Sequence, residues 1–477
     1  MGAVIIAGTR SGTGKTTISI GLMAAFKKRG LNVQSFKIGP DFIDPGYHTY
    51  ITGRPSINLD SWIMSEEIIH ENFYDYSACA DIAIIEGVMG LFDGRGASNR
   101  GSTADIAKML NIPVILIVDA RGMGKSADAV IYGFENYDKG VTIKGIIFHS
   151  VSSESHYEYL KYAISPDYRD RLLGYMEINR ELSIRERHLG LVTIKEDILS
   201  DGLIELLSEK IEDCIDLQKV YDISESYKGR RQNLPSQRER RGGCYASDKY
   251  RVRVAVAMDK AFSFYYQYNL DMLEETGVSL IFFSPLKDHL PEDIDGIYIG
   301  GGYPEVYARE LTNNSILMKE IRLLAEENLP IYAECGGLIY LTKGIFDENH
   351  EFYDMVGIFP FSIVMRKGKK RPGYREVELT EDSIIGKKGE IIRGHEFHYT
   401  EFTDDIDAQM AKGGEYDNMI KSVYEIAING DKRNEGYLYR NVLGSYIHLH
   451  FGSNTKSVES LTNHFRGYKN RKQSVSV

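Results

Sequence analysis

Two glycine-bearing turns in opposite halves of the chain hold the residues best suited to chemistry. The first is Gly8-Thr-Arg-Ser-Gly-Thr-Gly-Lys15-Thr16-Thr17, directly after the apolar run Ala3–Ala7. Small residues in such a turn let backbone N–H groups face phosphate oxygens. A lysine then meets the β/γ charge and a hydroxyl reaches Mg²⁺. Gly12, Gly14, Lys15 and Thr16 fill those parts, with Thr17 beside them. The strict phosphate-loop spacing fails at its first glycine, where Thr9 stands, while Arg10 offers a second basic group ahead of Lys15. A glycine turn without a ligand is the bland reading. A strand before the turn, a helix after it and Gly-Lys-Thr-Thr between them count against that reading.

The second turn is Ala333-Glu-Cys335-Gly336-Gly337, after Pro330-Ile-Tyr332. A thiol attacks well when it is part thiolate, and a helix N-terminus favours that form. Strand, cysteine, two glycines and helix follow the logic of a nucleophile elbow. A base must lie within hydrogen-bond reach, and His448 is expected to supply it from a strand end. Backbone donors for an oxyanion are expected at Gly302, within Gly300-Gly-Gly-Tyr-Pro-Glu305, and at Gly336. Taken alone, Cys335 reads as a buried structural cysteine. Cysteine, histidine and glycine turn in this order favour a glutaminase, so the chain is expected to use ATP and to make its own ammonia.

Carboxylates at strand ends should complete the first site, because Mg²⁺ takes oxygen ligands beside nucleotide phosphates. Asp41 follows Lys37-Ile-Gly-Pro40, and Glu86 ends the run Asp81–Ile85 before Gly87. Thr16, Asp41 and Glu86 are the expected metal ligands. Asp44 and Asp93 stand next to glycine turns, where acids are often only turn formers. Here they are expected near the reacting group. Lys37 reads either as a neutraliser of a carboxylate or phosphoryl group, or as a surface lysine at a strand end.

These residues need a scaffold that brings strand ends together. Apolar runs at Ala3–Ala7, Val33–Ile38, Ile82–Ile85, Val114–Val118 and Ile143–Phe148 alternate with helical stretches such as Thr16–Arg29. Continuous apolar strands between helices predict a parallel sheet buried on both faces, whose ligands collect at the carboxyl ends of the strands. Around residues 224–249 the chain turns basic and poor in apolar residues, which reads as a linker. Strands restart at Val252–Ala257, Leu280–Phe283, Gly296–Ile299 and Ile331–Ala333. The expected organisation is an α/β domain over 1–223, a linker over 224–249 and a second α/β domain over 250–477. The tail from about Tyr468 is expected to fray.

Composition sets the outer bounds. The chain has 477 residues, too many for one ordinary core, with 43% hydrophobic and 26% charged content and a formal net charge of -11. The negative balance argues against a general nucleic-acid partner. No apolar stretch is long enough to cross a membrane, and a cytoplasmic location is expected. The four cysteines lack C-x-x-C spacing and suggest neither a metal nor a disulfide framework.

At these residues the chain resembles the cobyrinic acid a,c-diamide synthases. These cobalamin-pathway amidotransferases join a dethiobiotin-synthetase-like P-loop domain to a class I, triad-type glutaminase. The resemblance runs from Ala3 to about Phe451. It is most specific at Lys37–Pro45, Thr52–Pro55, Asn58–Asp60, Glu86–Gly94, Arg187–Leu191, Asp259–Phe264, Gly300–Glu305 and Arg393–Tyr399. It implies ATP and Mg²⁺ as cofactors and glutamine and a tetrapyrrole polycarboxylate as small-molecule substrates. It also implies a Cys335 thioester with His448 as base, and ammonia passed internally. Phosphorylation of the a and c carboxylates would precede displacement by that ammonia. Arg10 and Lys15 would hold phosphates, and Asp44 and Asp93 would sit at the reacting carboxylate. A homodimer is carried as an expectation. His450 stands where most triad glutaminases place a glutamate, which leaves the partner of His448 open. His149 stands where an adenine-reading asparagine is common. His395, Glu396 and His398 match the family pattern without an assigned role.

Three rivals share parts of this reading. Nickel-sirohydrochlorin a,c-diamide synthases carry nearly every motif, although Gly39-Pro40-Asp41 leans toward the cobalt enzymes. Cobyric acid synthases fit less well over Asp41–Pro45 and Glu86–Gly94. A P-loop regulatory ATPase with a non-catalytic glutaminase-like module would require a missing nucleophile or base, and both Cys335 and His448 are present.

Overall fold

The computed structural model describes residues 1–177, 200–227, 251–366, 373–403, 419–428 and 431–475. Arg187–Leu191 and most of the expected linker lie outside them. The chain divides into two compact units, whose described residues run to Tyr227 and from Arg251.

In the first unit, β1 (Gly2–Gly8), α1 (Lys15–Lys28), β2 (Val33–Ile38), α2 (Ile43–Thr52), β3 (Ile57–Leu59), α3 (Glu66–Ser77) and β4 (Ile82–Glu86) open the fold. There follow α4 (Thr103–Leu110), β5 (Val114–Asp119), α5 (Ser126–Tyr137), β6 (Ile143–Val151), α6 (Glu154–Ala163), α7 (Pro166–Arg169), β7 (Leu172–Glu177), α8 (Asp201–Cys214) and α9 (Leu217–Glu225). The sheet is wholly parallel, in the order β3-β2-β4-β1-β5-β6-β7. β1, β2, β4 and β5 are buried along their entire length, as uninterrupted apolar runs require when helices cover both faces. Ile18, Leu22 and Phe26 of α1 pack with Leu207 and Ile211 of α8 over this sheet. Ser224 and Glu225 belong to α9, so the helix reaches two residues into the expected linker.

The second unit holds β8 (Val252–Ala257), β9 (Phe262–Phe264), α10 (Gln267–Glu275), β10 (Val278–Phe283), β11 (Gly296–Ile299), β12 (Gly301–Gly302), α11 (Ala308–Asn313), α12 (Ser315–Glu326), β13 (Ile331–Glu334) and α13 (Gly336–Leu341). It continues with β14 (Thr342–Phe346), β15 (Phe352–Asp354), β16 (Phe359–Met365), β17 (Gly373–Leu379), β18 (Ile391–Glu396), β19 (Thr400–Phe402), β20 (Lys421–Ile428), β21 (Asp431–Tyr439), β22 (Val442–Ser445), β23 (Ile447–Leu449) and α14 (Lys456–Val475). Its main sheet is mixed, in the order β10-β8-β11-β13-β22-β21-β20-β17-β18-β23. The pairs from β10 to β22 are parallel and the rest antiparallel.

The tail departs from expectation. Instead of fraying at Tyr468, α14 continues to Val475. Lys469 Nζ lies 2.5 Å from Arg251 O, and Lys472 Nζ lies 2.5 Å from Asp293 Oδ1, so charged side chains tie down a polar helix. Among the described residues Cys79, Cys214 and Cys335 are free thiols, and no helix is long and apolar enough to cross a membrane.

Candidate active site

The phosphate turn forms because α1 begins at a left-handed residue. Gly12 and Gly14 have φ of 74° and 87°, values that cost a side chain dearly. A Cβ on Gly14 would also meet the His149 ring at 2.6 Å, so His149 packs on the turn itself. Burial lowers the pKa of His149. Lys15 Nζ donates to Met89 O at 2.5 Å and to Arg10 O at 3.3 Å. Burial, then the charge of Lys37, brings its pKa down to about 8. Arg10 is tied to Asp119 at the end of β5, 2.5 Å away. Thr17 is half-buried on α1.

Glu86 is the centre of this site. It ends β4, next to both β1 and β2, and is fully buried. Its Oε1 accepts from Thr16 Oγ1 at 2.7 Å and from Lys37 Nζ at 2.8 Å, while its Oε2 meets His48 Nε2 at 2.8 Å. Burial alone would lift its pKa; the charge of Lys37 and the bond from His48 outweigh that and hold it well below the carboxylate range. Lys37 also reaches Asp44 Oδ2 at 2.6 Å. Burial disfavours its charge, but Asp44 and Glu86 prevail and raise its pKa. It is therefore no surface lysine. Burial, then Asp41, pushes Asp44 up to about 6.

His48 escaped the sequence analysis. It lies four residues after Asp44 on α2, a spacing that puts both on one helical face, and Asp44-x-x-x-His48 is the signal that could have revealed it. Asp41 Oδ1 accepts from the N–H groups of Ile43 and Asp44, at 2.7 and 3.1 Å, and so caps α2. Asp93 is exposed and closes its own turn, with Oδ2 2.9 Å from Gly90 N. Beside it opens a pocket of about 440 Å³, lined mainly by apolar groups, including Phe92, Val130, Phe134 and Tyr137. Among the described residues no three His, Cys, Asp or Glu side chains gather into a metal centre. Thr16 Oγ1 and Glu86 are nonetheless a hard-oxygen pair of the kind Mg²⁺ takes beside phosphates and water.

In the second unit Cys335 sits between β13 and α13 with φ 49° and ψ -102°, a strained conformation for a side chain with Cβ. Its N–H donates to Ser445 O at 2.6 Å, which locks the elbow onto β22. Its Sγ faces Phe397 O at 3.7 Å. Burial, then the charge of Glu305, raises the thiol's pKa well above its ordinary value. His448 is buried on β23, and burial, then His395 and His398, lowers its pKa well below the ordinary one. Burial thus disfavours charge on the thiol and on the imidazole alike.

Glycine contacts bring these parts together. A Cβ on Gly301 would meet His448 Cε1 at 2.2 Å, and one on Gly336 would meet Gly302 N at 2.8 Å. Both expected oxyanion donors thus lie at the elbow. Glu334, unremarked in the sequence, fixes the geometry from behind. Its Oε1 accepts from Tyr332 Oη at 2.7 Å and from Leu449 N at 3.0 Å, and its Oε2 accepts from Tyr298 Oη at 3.0 Å. The strand holding His448 is thereby pinned to the residue before Cys335.

The remaining histidines have structural partners. His395 stacks on His448 with ring centroids 4.9 Å apart, and its Nδ1 meets Tyr266 Oη at 2.8 Å. Glu396 receives Arg375 at 2.6 Å, Arg433 at 2.9 Å and His398 at 2.9 Å. Burial would raise its pKa, but these donors bring it to about 2. His450 Nδ1 accepts from Gly452 N at 3.0 Å, and its ring stacks on Tyr268. It caps the turn after β23.

Two family models match the chain. The CobQ/CobB/MinD/ParA nucleotide binding domain matches residues 4–190, and the CobB/CobQ-like glutamine amidotransferase domain matches residues 253–456. A protein of Caldanaerobacter subterraneus subsp. tengcongensis named cobyrinate a,c-diamide synthase is 43% identical over 446 residues, covering 93% of this chain and 94% of its own. Proteins of the same name from Priestia megaterium and Listeria innocua are 40% and 42% identical, over 96% and 95% of this chain and 95% and 97% of theirs.

Proposed function

We infer, for a chain that belongs to the cobyrinate a,c-diamide synthase family, that it amidates the a and c side-chain carboxylates of cobyrinate with ATP and glutamine. The reading is supported above all by similarity that spans both units at once, so the phosphate turn and the thiol elbow come as a pair.

In the second unit, Cys335 Sγ attacks the side-chain amide carbon of glutamine while its proton moves to His448. The N–H groups of Gly302 and Gly336 receive the oxyanion. Ammonia leaves with the proton from His448, and water then hydrolyses the thioester to glutamate. Burial that disfavours charge on both groups suits this sequence, because charge separates only as the S–C bond forms.

In the first unit, Lys15 leaves Met89 O for the β/γ-phosphates, joined by the N–H groups of the turn. A carboxylate oxygen of the tetrapyrrole attacks the γ-phosphorus and ADP leaves. Ammonia adds to the acyl phosphate and inorganic phosphate departs, leaving the amide. Thr16, Glu86 and Asp41 would hold Mg²⁺, which offsets phosphate charge during the transfer. Lys37 counters the carboxylates of Asp44 and Glu86, and Asp44 and Asp93 face the reacting group. The ring-lined pocket beside Asp93 offers the macrocycle an apolar wall.

Mass spectrometry of the product after incubation with ATP, Mg²⁺, glutamine and cobyrinic acid tests the reading. Two successive amidations are expected. Amidation of nickel-sirohydrochlorin in place of cobyrinic acid, or of neither, would overturn it.

A further inference from the structure

Glu305 ends the glycine turn after β11, and the mechanism above leaves it without a role. It is 8% exposed, and its Oε2 has no hydrogen-bond partner among the described residues. A buried carboxylate oxygen without a donor is costly and rare. Burial lifts the pKa of this group to about 7.

Its neighbours point to the nucleophile. Pro304 abuts the residue after Cys335: a Cβ on Gly336 would stand 2.9 Å from Pro304 Cδ. After burial, Glu305 is the strongest influence holding the Cys335 thiol up. The charges acting on His448 are instead those of His395 and His398. Glu305 thus directly follows the proline that abuts the elbow of Cys335.

We propose that Glu305 holds the α-ammonium group of the glutamine whose side-chain amide Cys335 attacks. The proposal rests on the glutaminase reading. A bound ammonium would satisfy the orphan oxygen and let the buried carboxylate ionise beside an opposite charge. An amide lacking that cation would leave the carboxylate unpaired, which makes discrimination steep. Glu305 is then a specificity residue and takes no proton in the reaction.

Ammonia release from L-glutamine and from 4-carbamoylbutanoate, which is glutamine without its α-amino group, tests this in the full chain. Wild type is expected to favour glutamine in kcat/KM by at least about 30-fold. In Glu305→Gln the ratio is expected to fall within about threefold of one, chiefly through KM. The ratio is taken within one preparation, so partial misfolding cancels. A ratio near one in wild type, or an unchanged ratio in Glu305→Gln, would overturn the proposal. If that variant hydrolyses neither amide, calorimetry of glutamine binding decides, and an unchanged Kd overturns it. Failure of wild type to release ammonia from glutamine would instead remove the glutaminase reading itself.

Discussion

Replacing Lys37 with methionine probes the buried charge cluster most directly. Lys37, Asp44 and Glu86 have side chains 5%, 15% and 0% exposed, with one ammonium shared between two carboxylates at 2.6 and 2.8 Å. Methionine keeps the volume of the stem and removes the charge. Breaking a buried pair from one side costs about 3–5 kcal/mol. Asp44 can relieve part of this by taking a proton, since its pKa is already about 6. We therefore expect a loss near the lower end, about 3 kcal/mol at pH 8.

The pH dependence follows from linkage. Without Lys37, burial should raise the folded pKa values of both acids above their unfolded ones. Below the unfolded values both states are protonated and nothing is lost. As pH rises, the unfolded state ionises first, so the penalty grows toward the folded pKa. At pH 5 the loss should shrink to about 1–2 kcal/mol. Trp62 is the lone tryptophan and lies buried in the first unit, so its fluorescence in urea follows that unit alone. Equal stability of Lys37→Met and wild type at pH 8, or a loss that is larger at pH 5, would refute the buried-cluster reasoning.

Other outcomes follow from the same geometry. Cys335→Ala should abolish amidation with glutamine while ammonium chloride still supports it; equal loss with both nitrogen donors would dissolve the division of labour. At pH 7.5 iodoacetamide should label exposed Cys79 well before buried Cys335, whose thiol pKa burial raises, and Cys335 labelling should climb with pH. Peptide mass spectrometry reports both sites. His48→Leu should raise the Mg²⁺ concentration for half-maximal ADP release about tenfold, because Glu86 Oε2 loses its anchor. His48→Gln retains a donor and should recover most of that, as direct Mn²⁺ binding measured without turnover would also register.

Apolar runs located β1, β2, β4 and β13, which carry or lead into Lys15, Lys37, Glu86 and Cys335, because a strand buried on both faces must be apolar from end to end. They could not tell that Lys37 turns inward. A lysine at a strand end looks the same whether the following helix covers it or water does, and here α2 covers it with Asp44 and His48. A lone histidine inside a helix carries no motif, so His48 stayed hidden. Glu334 and Glu305 carry no motif of their own in the sequence, and only the close approach of β23 and Gly336 gives them neighbours. Asp93 kept the turn chemistry of an acid beside glycines, whereas Asp41 caps α2. The antiparallel half of the second sheet was illegible for a different reason. Its strands mix exposed and buried positions, so no uninterrupted apolar run marks them.

The left-handed backbone at Cys335 bears on how long the protein lasts. A non-glycine residue held at such φ and ψ costs on the order of 1–3 kcal/mol. Glycine at 335 would relax that conformation and, for the loss of one small thiol, should yield a chain that survives heating longer than the native one. Screens that select survivors of heat shock alone would then favour a protein that has lost its nucleophile. Selection for durability in this scaffold must be coupled to turnover of glutamine, because strain and reactivity occupy the same residue.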